Sequence, residues 1–318
     1  MKGGYTPSDW DSYSNAAQTK SQAQTFARQN IKTTNDPRTS FDPTTIAVRE
    51  SRDSALFPQS TPLIIGFDVT GTMGDIPYYF VQEGLRTFMA EIYDRKPVSD
   101  PQIMCAAIGD VRSDRAPLQV TQFEVDLKIA EQLEDLYLEG NGGGNNGESY
   151  NVLWYFAATK TSTDNFEKRG KKGILITIGD EPPVFELTRE EIKQFIGGEP
   201  TRDYTSAELL EMVRKQYDVY HIIVEQGSGF HGYGERAVVG GWTKLLGEGY
   251  VIRLSDYTKL AEVGVSLIQR NAGMDRDTIV KSWDGKTALV VANALPTVPV
   301  RGGARKSGIK LIGGPKAA

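Results

Sequence analysis

The chain of 318 residues is long enough for one large domain with extensions or for two small domains. Its hydrophobic content of 39% can build a sizeable core, and its net charge of −5 argues against nucleic acid as the principal partner. The single cysteine, Cys105, excludes an internal disulfide, and two histidines leave too few ligands for a zinc site built on His and Cys. Neither a membrane-spanning apolar run nor a signal peptide is visible, so we expect a cytoplasmic protein that binds no membrane.

The first part of the chain, residues 1–60, is rich in Ser, Thr, Gln, Asn and Asp. A helical pattern over residues 16–31 has only a thin apolar face, which cannot build a core of its own. We interpret this part as a polar N-terminal arm that either orders against another surface or stays loose. A plain flexible leader is the alternative.

Short β-branched runs alternate with helical patterns through residues 61–272. Five runs predict buried parallel strands: 63–67, 103–108, 174–178, 219–224 and 250–254. A further run, 118–123, follows the second strand after only about ten residues, which is too short for a helical crossover and predicts an antiparallel edge strand. The order predicts an α/β domain with a doubly wound, mostly parallel six-stranded sheet and helices on both faces.

The last part of the chain, residues 273–318, is a C-terminal extension. It contains one apolar run, TALVVANAL, and then a tail rich in Pro and Gly. The final segment, RGGARKSGIKLIGGPKAA, carries five basic residues and no acidic one. We expect a solvated or partner-docked tail, so the two ends of the chain could build an oligomer or a larger assembly.

The first predicted strand ends in the sequence IIGFDVTGTMGD, residues 64–75. Ligands of a doubly wound sheet bind at the carboxyl ends of the strands, where Asp68, Thr70 and Thr72 lie. Alternate residues of a tight turn can point one way, so this turn offers one carboxylate and two hydroxyls. Gly71 lets the turn close.

Two families have a turn of this kind. The D-x-T-G-T string resembles the phosphorylated turn of P-type ATPases and of the wider haloacid dehalogenase (HAD) superfamily, in which the aspartate attacks a phosphoryl group with the help of Mg²⁺. It equally resembles the D-x-S/T-x-S/T turn of von Willebrand factor A (vWA) domains. In those domains both hydroxyls bind a divalent ion in a metal-ion-dependent adhesion site. The turn alone leaves both readings open.

A second stretch, ILITIGDEPP at residues 174–183, puts Asp180 just past another buried strand. The vWA pattern asks for one aspartate after the fourth strand, and Asp180 supplies it. HAD enzymes usually have a further aspartate four residues after the first, where this chain has Val184. Lys171 or Lys172 could serve as the lysine that normally precedes this strand in HAD enzymes.

A third stretch, GNGGGNNGESY at residues 140–150, favours the vWA resemblance, because HAD chemistry has no use for it. In vWA domains the loop between the second and third helices completes the metal site, and a prokaryotic branch has a Gly-rich loop with a Glu shortly beyond it. Asn145 stands where that branch often has an aspartate, and Asn145 or Asn146 can offer an amide oxygen. Glu148 could cap the next helix or orient the loop. The alternative is that this stretch is a flexible linker.

The resemblance to vWA domains covers residues 61–272 and implies one divalent-metal site. Carboxylate, hydroxyl and amide oxygens favour Mg²⁺, with Ca²⁺ or Mn²⁺ as alternatives. Thr70 and Thr72 would bind the ion directly, and Asp68 and Asp180 directly or through water. Asn145 would add an amide oxygen. An open position on the ion would accept an acidic side chain from a protein partner.

Two further features belong to the same predicted edge of the sheet. Asp110, after the second strand, is either an additional acid at the rim or a structural turn residue. The loop QGSGFHGYGER, residues 226–236, presents three aromatic side chains among glycines. It is either part of a partner surface or folded onto its own domain.

These patterns lead to three hypotheses on function. The first is a metal-dependent protein-interaction module for adhesion or assembly, bacterial or phage-encoded, cytoplasmic or associated with a virion. No nucleophile–base pair lies beside the metal ligands, so we expect no enzyme. The second hypothesis is a Mg²⁺-dependent HAD-type phosphatase with Asp68 as nucleophile. The third is a structural assembly subunit that uses the vWA fold as a scaffold.

Overall fold

The computed structural model describes residues 7–21, 41–138 and 147–295, which form a mixed α/β structure. The strands are β1 (Arg49–Ser51), β2 (Thr61–Asp68), β3 (Pro101–Ile108), β4 (Leu118–Val120), β5 (Thr161–Thr163), β6 (Gly173–Gly179), β7 (Glu186–Leu187), β8 (Tyr204–Thr205), β9 (Tyr217–Val224) and β10 (Val251–Leu254). The helices are α1 (Pro7–Gln18), α2 (Ile76–Tyr79), α3 (Leu85–Arg95), α4 (Lys128–Glu134), α5 (Tyr150–Thr159), α6 (Asp164–Glu167), α7 (Arg189–Phe195), α8 (Ser206–Val213), α9 (Ser228–Tyr233), α10 (Glu235–Leu246), α11 (Leu260–Asn271), α12 (Arg276–Lys281) and α13 (Gly285–Ala294).

The central sheet contains six strands in the order β10-β9-β6-β2-β3-β4. All neighbouring pairs are parallel except β3 and β4, which pair antiparallel at one edge. This arrangement confirms the predicted α/β sheet, mostly parallel with one antiparallel edge strand. The run predicted at 250–254 starts one residue later as a strand, because Tyr250 ends a short 3₁₀ turn.

The core lies on both faces of this sheet, because the central strands are apolar on both sides. Leu63, Ile65 and Phe67 of β2 pack with residues of α3 and α11 on one face. Ile64, between them, packs with residues of α5, α8 and α10 on the other face. Alternate residues of a strand point to opposite faces, so a continuous apolar run is what a strand covered by helices on both sides requires. The sheet therefore has helices on both faces.

The segment 41–60, which the sequence assigns to the polar N-terminal arm, packs against the domain. Phe41 and Ile46 are buried, and β1 pairs in parallel with β5. Lys160 Nζ donates hydrogen bonds to three backbone carbonyls, at 2.7–2.8 Å, two of them in residues 43–46. These contacts attach the segment to the domain despite its polar composition.

The two ends of the chain are described only in part. Helix α1 packs its buried Trp10 on the domain, but residues 22–40, which include most of the predicted helical pattern, lie outside the described residues. At the other end, the apolar run TALVVANAL lies largely in α13, with Val290 and Val291 buried in the core. Residues 273–295 thus pack against the domain, whereas the basic tail lies outside the described residues.

Candidate metal-binding site

The two predicted aspartates follow neighbouring strands of the sheet. Strands β2 and β6 pair in parallel with Phe67 opposite Ile178, so their carboxyl ends lie at the same edge. Asp68 is the last residue of β2, and Asp180 comes directly after β6. Both side chains have 0% exposure. The register of the sheet therefore brings the two carboxylates together at the topological switch point, as the sequence predicts.

A chain of short oxygen–oxygen contacts joins Asp68 to Asp180. Asp68 Oδ1 accepts hydrogen bonds from Thr70 N at 2.9 Å and from Thr70 Oγ1 at 2.6 Å. Thr70 Oγ1 lies 3.2 Å from Thr72 Oγ1, and Thr72 Oγ1 donates to Asp180 Oδ1 at 2.9 Å. Four of the five predicted site residues thus form one cluster. The fifth, Asn145, lies outside the described residues.

The other oxygen of each aspartate is held from a different part of the chain. Tyr150 OH, on the first turn of α5, donates to Asp68 Oδ2 at 2.7 Å. Gly229 N, in α9, donates to Asp180 Oδ2 at 2.7 Å. No sequence signal pointed to Tyr150, and the sequence left the loop 226–236 open as either a partner surface or a loop folded onto its own domain. That loop instead supports the site through its backbone, while Phe230 is buried against the domain.

Gly179 makes room for this arrangement at the end of β6. A Cβ atom at this position would overlap the hydroxyl of Tyr150, which is the donor to Asp68. A larger residue would therefore have to displace a buried tyrosine.

We predict opposite effects for two glycine substitutions. Gly179→Ala should lower the free energy of unfolding by about 1–3 kcal/mol, because the added methyl group overpacks a buried site. Gly240→Ala, on the exposed side of α10 with nothing within 4 Å of the new Cβ, should raise it by up to about 1 kcal/mol. Urea denaturation of both variants measures the two effects. Unchanged stability in Gly179→Ala would show that Tyr150 does not fill this space.

Two more acids, Glu148 and Glu181, lie at the same edge with 2% and 3% exposure. The sequence placed Glu148 at a helix start and did not assign Glu181, although it directly follows Asp180. The signal was present as the adjacent acids of the sequence Asp-Glu-Pro-Pro. Asp110 is also buried, where its Oδ1 accepts from Ser149 Oγ at 2.8 Å. These three residues extend the acidic cluster.

In its ionised form the cluster would carry more negative charge than its protein surroundings balance. Burial, and next the charge of Asp180, raises the pKa of Asp68 to about 7. Burial is also the largest cause that raises the pKa of Glu181 to about 7 and of Glu148 to about 11. No Lys or Arg side chain of the described residues forms a salt bridge with Asp68, Asp180, Glu148 or Glu181. The site is therefore short of positive charge.

The donor set suits only a cation that accepts hydroxyl ligands. Within the ranges the structure describes, no group of three or more His, Cys, Asp or Glu side chains could hold a metal ion by itself. Any cation at this edge would therefore need the hydroxyls of Thr70 and Thr72 as well as the carboxylates. Such hard oxygen donors match Mg²⁺, Ca²⁺ or Mn²⁺. Thr72 is partly exposed, so the cluster opens to solvent on that side.

The fold and the site together define an α/β protein with a buried acidic cluster at the carboxyl edge of its sheet. No protein-family model matches the chain, and no curated protein matches its sequence. Among solved structures, the pilus adhesin SpaC from Lactobacillus rhamnosus GG, in its open conformation, is similar with a TM-score of 0.48 and 8% identity, over 70% of this chain and 31% of the adhesin. Proximal thread matrix protein 1 from the mussel byssus is similar with a TM-score of 0.40 and 12% identity, over 70% of this chain and 46% of that protein.

The chain therefore spans less than half the length of either of these two proteins. At such low identity and TM-score, we draw nothing about function from either similarity. Among the described residues, no helix is both long and apolar enough to cross a membrane.

Proposed function

We propose that this chain is a divalent-cation-dependent protein-interaction module of the vWA type. Asp68, Thr70, Thr72 and Asp180 would hold Mg²⁺, with Ca²⁺ or Mn²⁺ as alternatives, in a metal-ion-dependent adhesion site. Asn145 stays part of this proposal as an additional ligand. A bound cation would supply an open coordination position, which an acidic side chain of a protein partner would fill.

The contact between the two threonine hydroxyls carries the proposal. A hydroxyl group has a single proton. When both carboxylates are ionised, Thr70 Oγ1 donates to Asp68 and Thr72 Oγ1 donates to Asp180, so neither has a proton left for their mutual contact at 3.2 Å. The two oxygens therefore face each other with lone pairs. A cation between them would turn this unfavourable contact into two favourable ones.

The spacing of the four oxygens also fits a small octahedral ion. Mg²⁺ binds oxygens at about 2.0–2.1 Å, so adjacent ligands of its octahedron lie about 2.9 Å apart. The three successive contacts from Asp68 to Asp180 measure 2.6, 3.2 and 2.9 Å. A modest rearrangement of these side chains would thus bring them to ligand positions. The shortage of positive charge at the cluster supports the same interpretation.

The arrangement of the domain supports the vWA type. The central sheet is mostly parallel and has its antiparallel strand at one edge, as predicted from the sequence. The strand that supplies Asp68 and the strand that precedes Asp180 are neighbours at the switch point. The closeness of the Thr-containing turn to this aspartate supports the proposal.

A protein partner is favoured by an exposed aromatic side chain in the segment that follows Asp180. Phe185 lies five residues beyond Asp180, and its side chain is 85% exposed. Its backbone is fixed, because its carbonyl accepts a hydrogen bond from Ser206 N at 2.7 Å. An exposed aromatic side chain on a fixed backbone is typical of an interface anchor, since little freedom is lost on binding.

No observation favours the phosphatase hypothesis over this one. A nucleophilic aspartate needs a carboxylate oxygen that can reach a substrate. Both oxygens of Asp68 already accept hydrogen bonds, and the side chain has no exposure. The scaffold hypothesis still rests on the composition of the two terminal segments. It predicts that the protein assembles without a cation.

Direct measurement of cation binding tests the proposal. Isothermal titration with Mn²⁺ should show one site, and crystals soaked in Mn²⁺ should show an anomalous peak enclosed by Asp68, Thr70, Thr72 and Asp180. Thr72→Val keeps the shape of the side chain but removes its hydroxyl, so it should weaken binding strongly. Absence of binding at about 10 mM Mn²⁺, or a peak elsewhere, would refute the proposed site and leave the scaffold hypothesis.

A further inference from the structure

Glu148 has a buried carboxyl oxygen with no hydrogen-bond partner among the residues that the structure describes. Its side chain is 2% exposed, and its Oε2 atom makes no hydrogen bond. A buried polar atom without a partner is costly, and few such atoms exist in folded proteins. The position therefore requires a donor that the described part of the chain does not supply.

The backbone holds Glu148 firmly at the acidic cluster. Gly147 adopts a φ of +128°, and a Cβ atom there would overlap the carbonyl oxygen of Pro182. Glu148 itself forms a parallel bridge with Pro183, in the loop that follows Asp180. Two residues further on, Tyr150 is fixed by its bond to Asp68. The segment 147–150 thus connects Asp68 with the loop that follows Asp180.

The neighbours of Glu148 identify the kind of donor that is required. The charged groups that act on it are Asp68, Glu181, Asp114 and Asp110, all of which are acidic. Carboxylates attract a cation and its hydration water rather than another anion. Mg²⁺ in proteins usually keeps several of its water molecules, and these waters are good hydrogen-bond donors because the ion polarises them.

We infer that Glu148 accepts a hydrogen bond from a water molecule of the cation held by Asp68, Thr70, Thr72 and Asp180. This inference rests on the proposed function. Glu148 is then a positioning residue, which orients the hydrated ion from the side of the 147–150 segment. The ligands alone would bind a cation, and Glu148 would make that binding tighter.

The test compares cation affinity with cation-free stability. Glu148→Gln keeps the volume of the side chain but replaces one carboxyl oxygen with an amide nitrogen, and it should weaken Mg²⁺ binding about 10- to 100-fold. Its unfolding temperature in EDTA should equal or exceed that of the wild type, because a buried acid is removed. A purely structural role would give the opposite result, with a lower unfolding temperature in EDTA and unchanged affinity.

Glu124→Gln is the matched control. Glu124 is partly buried, and burial is also the main cause that raises its pKa. It forms a bridge with Ile103 near the start of β3, whereas the acidic cluster lies at the carboxyl ends of the strands. Its substitution should leave Mg²⁺ affinity unchanged.

Two failures can be told apart. If the wild type binds no Mg²⁺, the proposed function is wrong; if wild type and Glu148→Gln bind Mg²⁺ equally, only the role of Glu148 is wrong. If Glu148→Gln does not fold, a high-resolution structure of the wild type with Mg²⁺ decides. A water between the ion and Glu148 Oε2 supports the inference, and direct coordination or a distant Glu148 refutes it.

Discussion

Millimolar Mg²⁺ is expected to raise the unfolding temperature of the protein by about 5–10 °C relative to EDTA. A ligand that binds only the folded state at about 100 times its dissociation constant adds about 2.7 kcal/mol of stability. For a domain of this size, each kcal/mol raises the unfolding temperature by roughly 2–4 °C. Differential scanning fluorimetry with Mg²⁺ and with EDTA measures the shift.

Asp180→Asn should separate the two roles of this carboxylate. The variant should lose most of the Mg²⁺ shift, because a ligand and one negative charge are removed. In EDTA it should unfold at or above the temperature of the wild type, since burial raises the pKa of Asp180 and its charge disfavours ionisation of Asp68. Asp94→Asn, at an exposed position of α3, should behave like the wild type in both conditions. A full Mg²⁺ shift in Asp180→Asn would contradict the assignment.

The Mg²⁺ shift should also depend on pH. The pKa of Asp68 in the cation-free protein is raised to about 7, first by burial and then by Asp180. Below that value the carboxyl group holds a proton, which it must release before it can bind a cation. The stabilisation by Mg²⁺ should therefore be larger near pH 8 than near pH 6. An equal shift at both values would mean that Asp68 is not a ligand.

The sequence predicts the sheet and the meeting of Asp68 with Asp180 for the same physical reason. Buried parallel strands need apolar residues on both faces, so they stand out as runs such as residues 63–67 and 174–178. Once these runs are assigned to parallel strands, the residues after their carboxyl ends must lie at one edge of the sheet. The residues that support the site could not be predicted in this way. Tyr150 and Gly229 reach the aspartates only through tertiary packing.

The segment 41–60 could not be placed from its composition. Its contacts are made by isolated groups: Phe41 and Ile46 are buried singly, Lys160 binds its backbone carbonyls, and β1 has only three residues. Sequence patterns report periodic apolar faces, and a segment held by isolated contacts has no such period. Glu148 was visible as part of a motif, but its unpartnered oxygen is a property of the folded structure alone.

Asp53 is the strongest test of how this segment is attached. Arg169 binds its carboxylate with both terminal nitrogens, at 2.7 and 3.1 Å. Ser60, which is fully buried, donates from N at 3.0 Å and from Oγ at 2.7 Å. The hydrogen bonds from Arg169 are the largest cause that holds the pKa of Asp53 well below its usual range. This ion pair joins residues 53–60 to the loop before β6.

Asp53→Asn should lower the free energy of unfolding by about 1–3 kcal/mol near pH 7, because hydrogen bonds to a charged group are lost while Arg169 keeps its charge. The folded pKa lies below the unfolded value of about 3.9, so the contribution is fully present above about pH 5. It is lost as the pH falls through the folded pKa. The difference between wild type and variant should therefore shrink as the pH is lowered towards about 3, in urea denaturation followed at several pH values.

The control variant Asp94→Asn should show no such convergence. A difference that stays constant with pH would mean that the ionised carboxylate of Asp53 does not hold this segment, and that Phe41, Ile46 and the carbonyl contacts of Lys160 attach it instead.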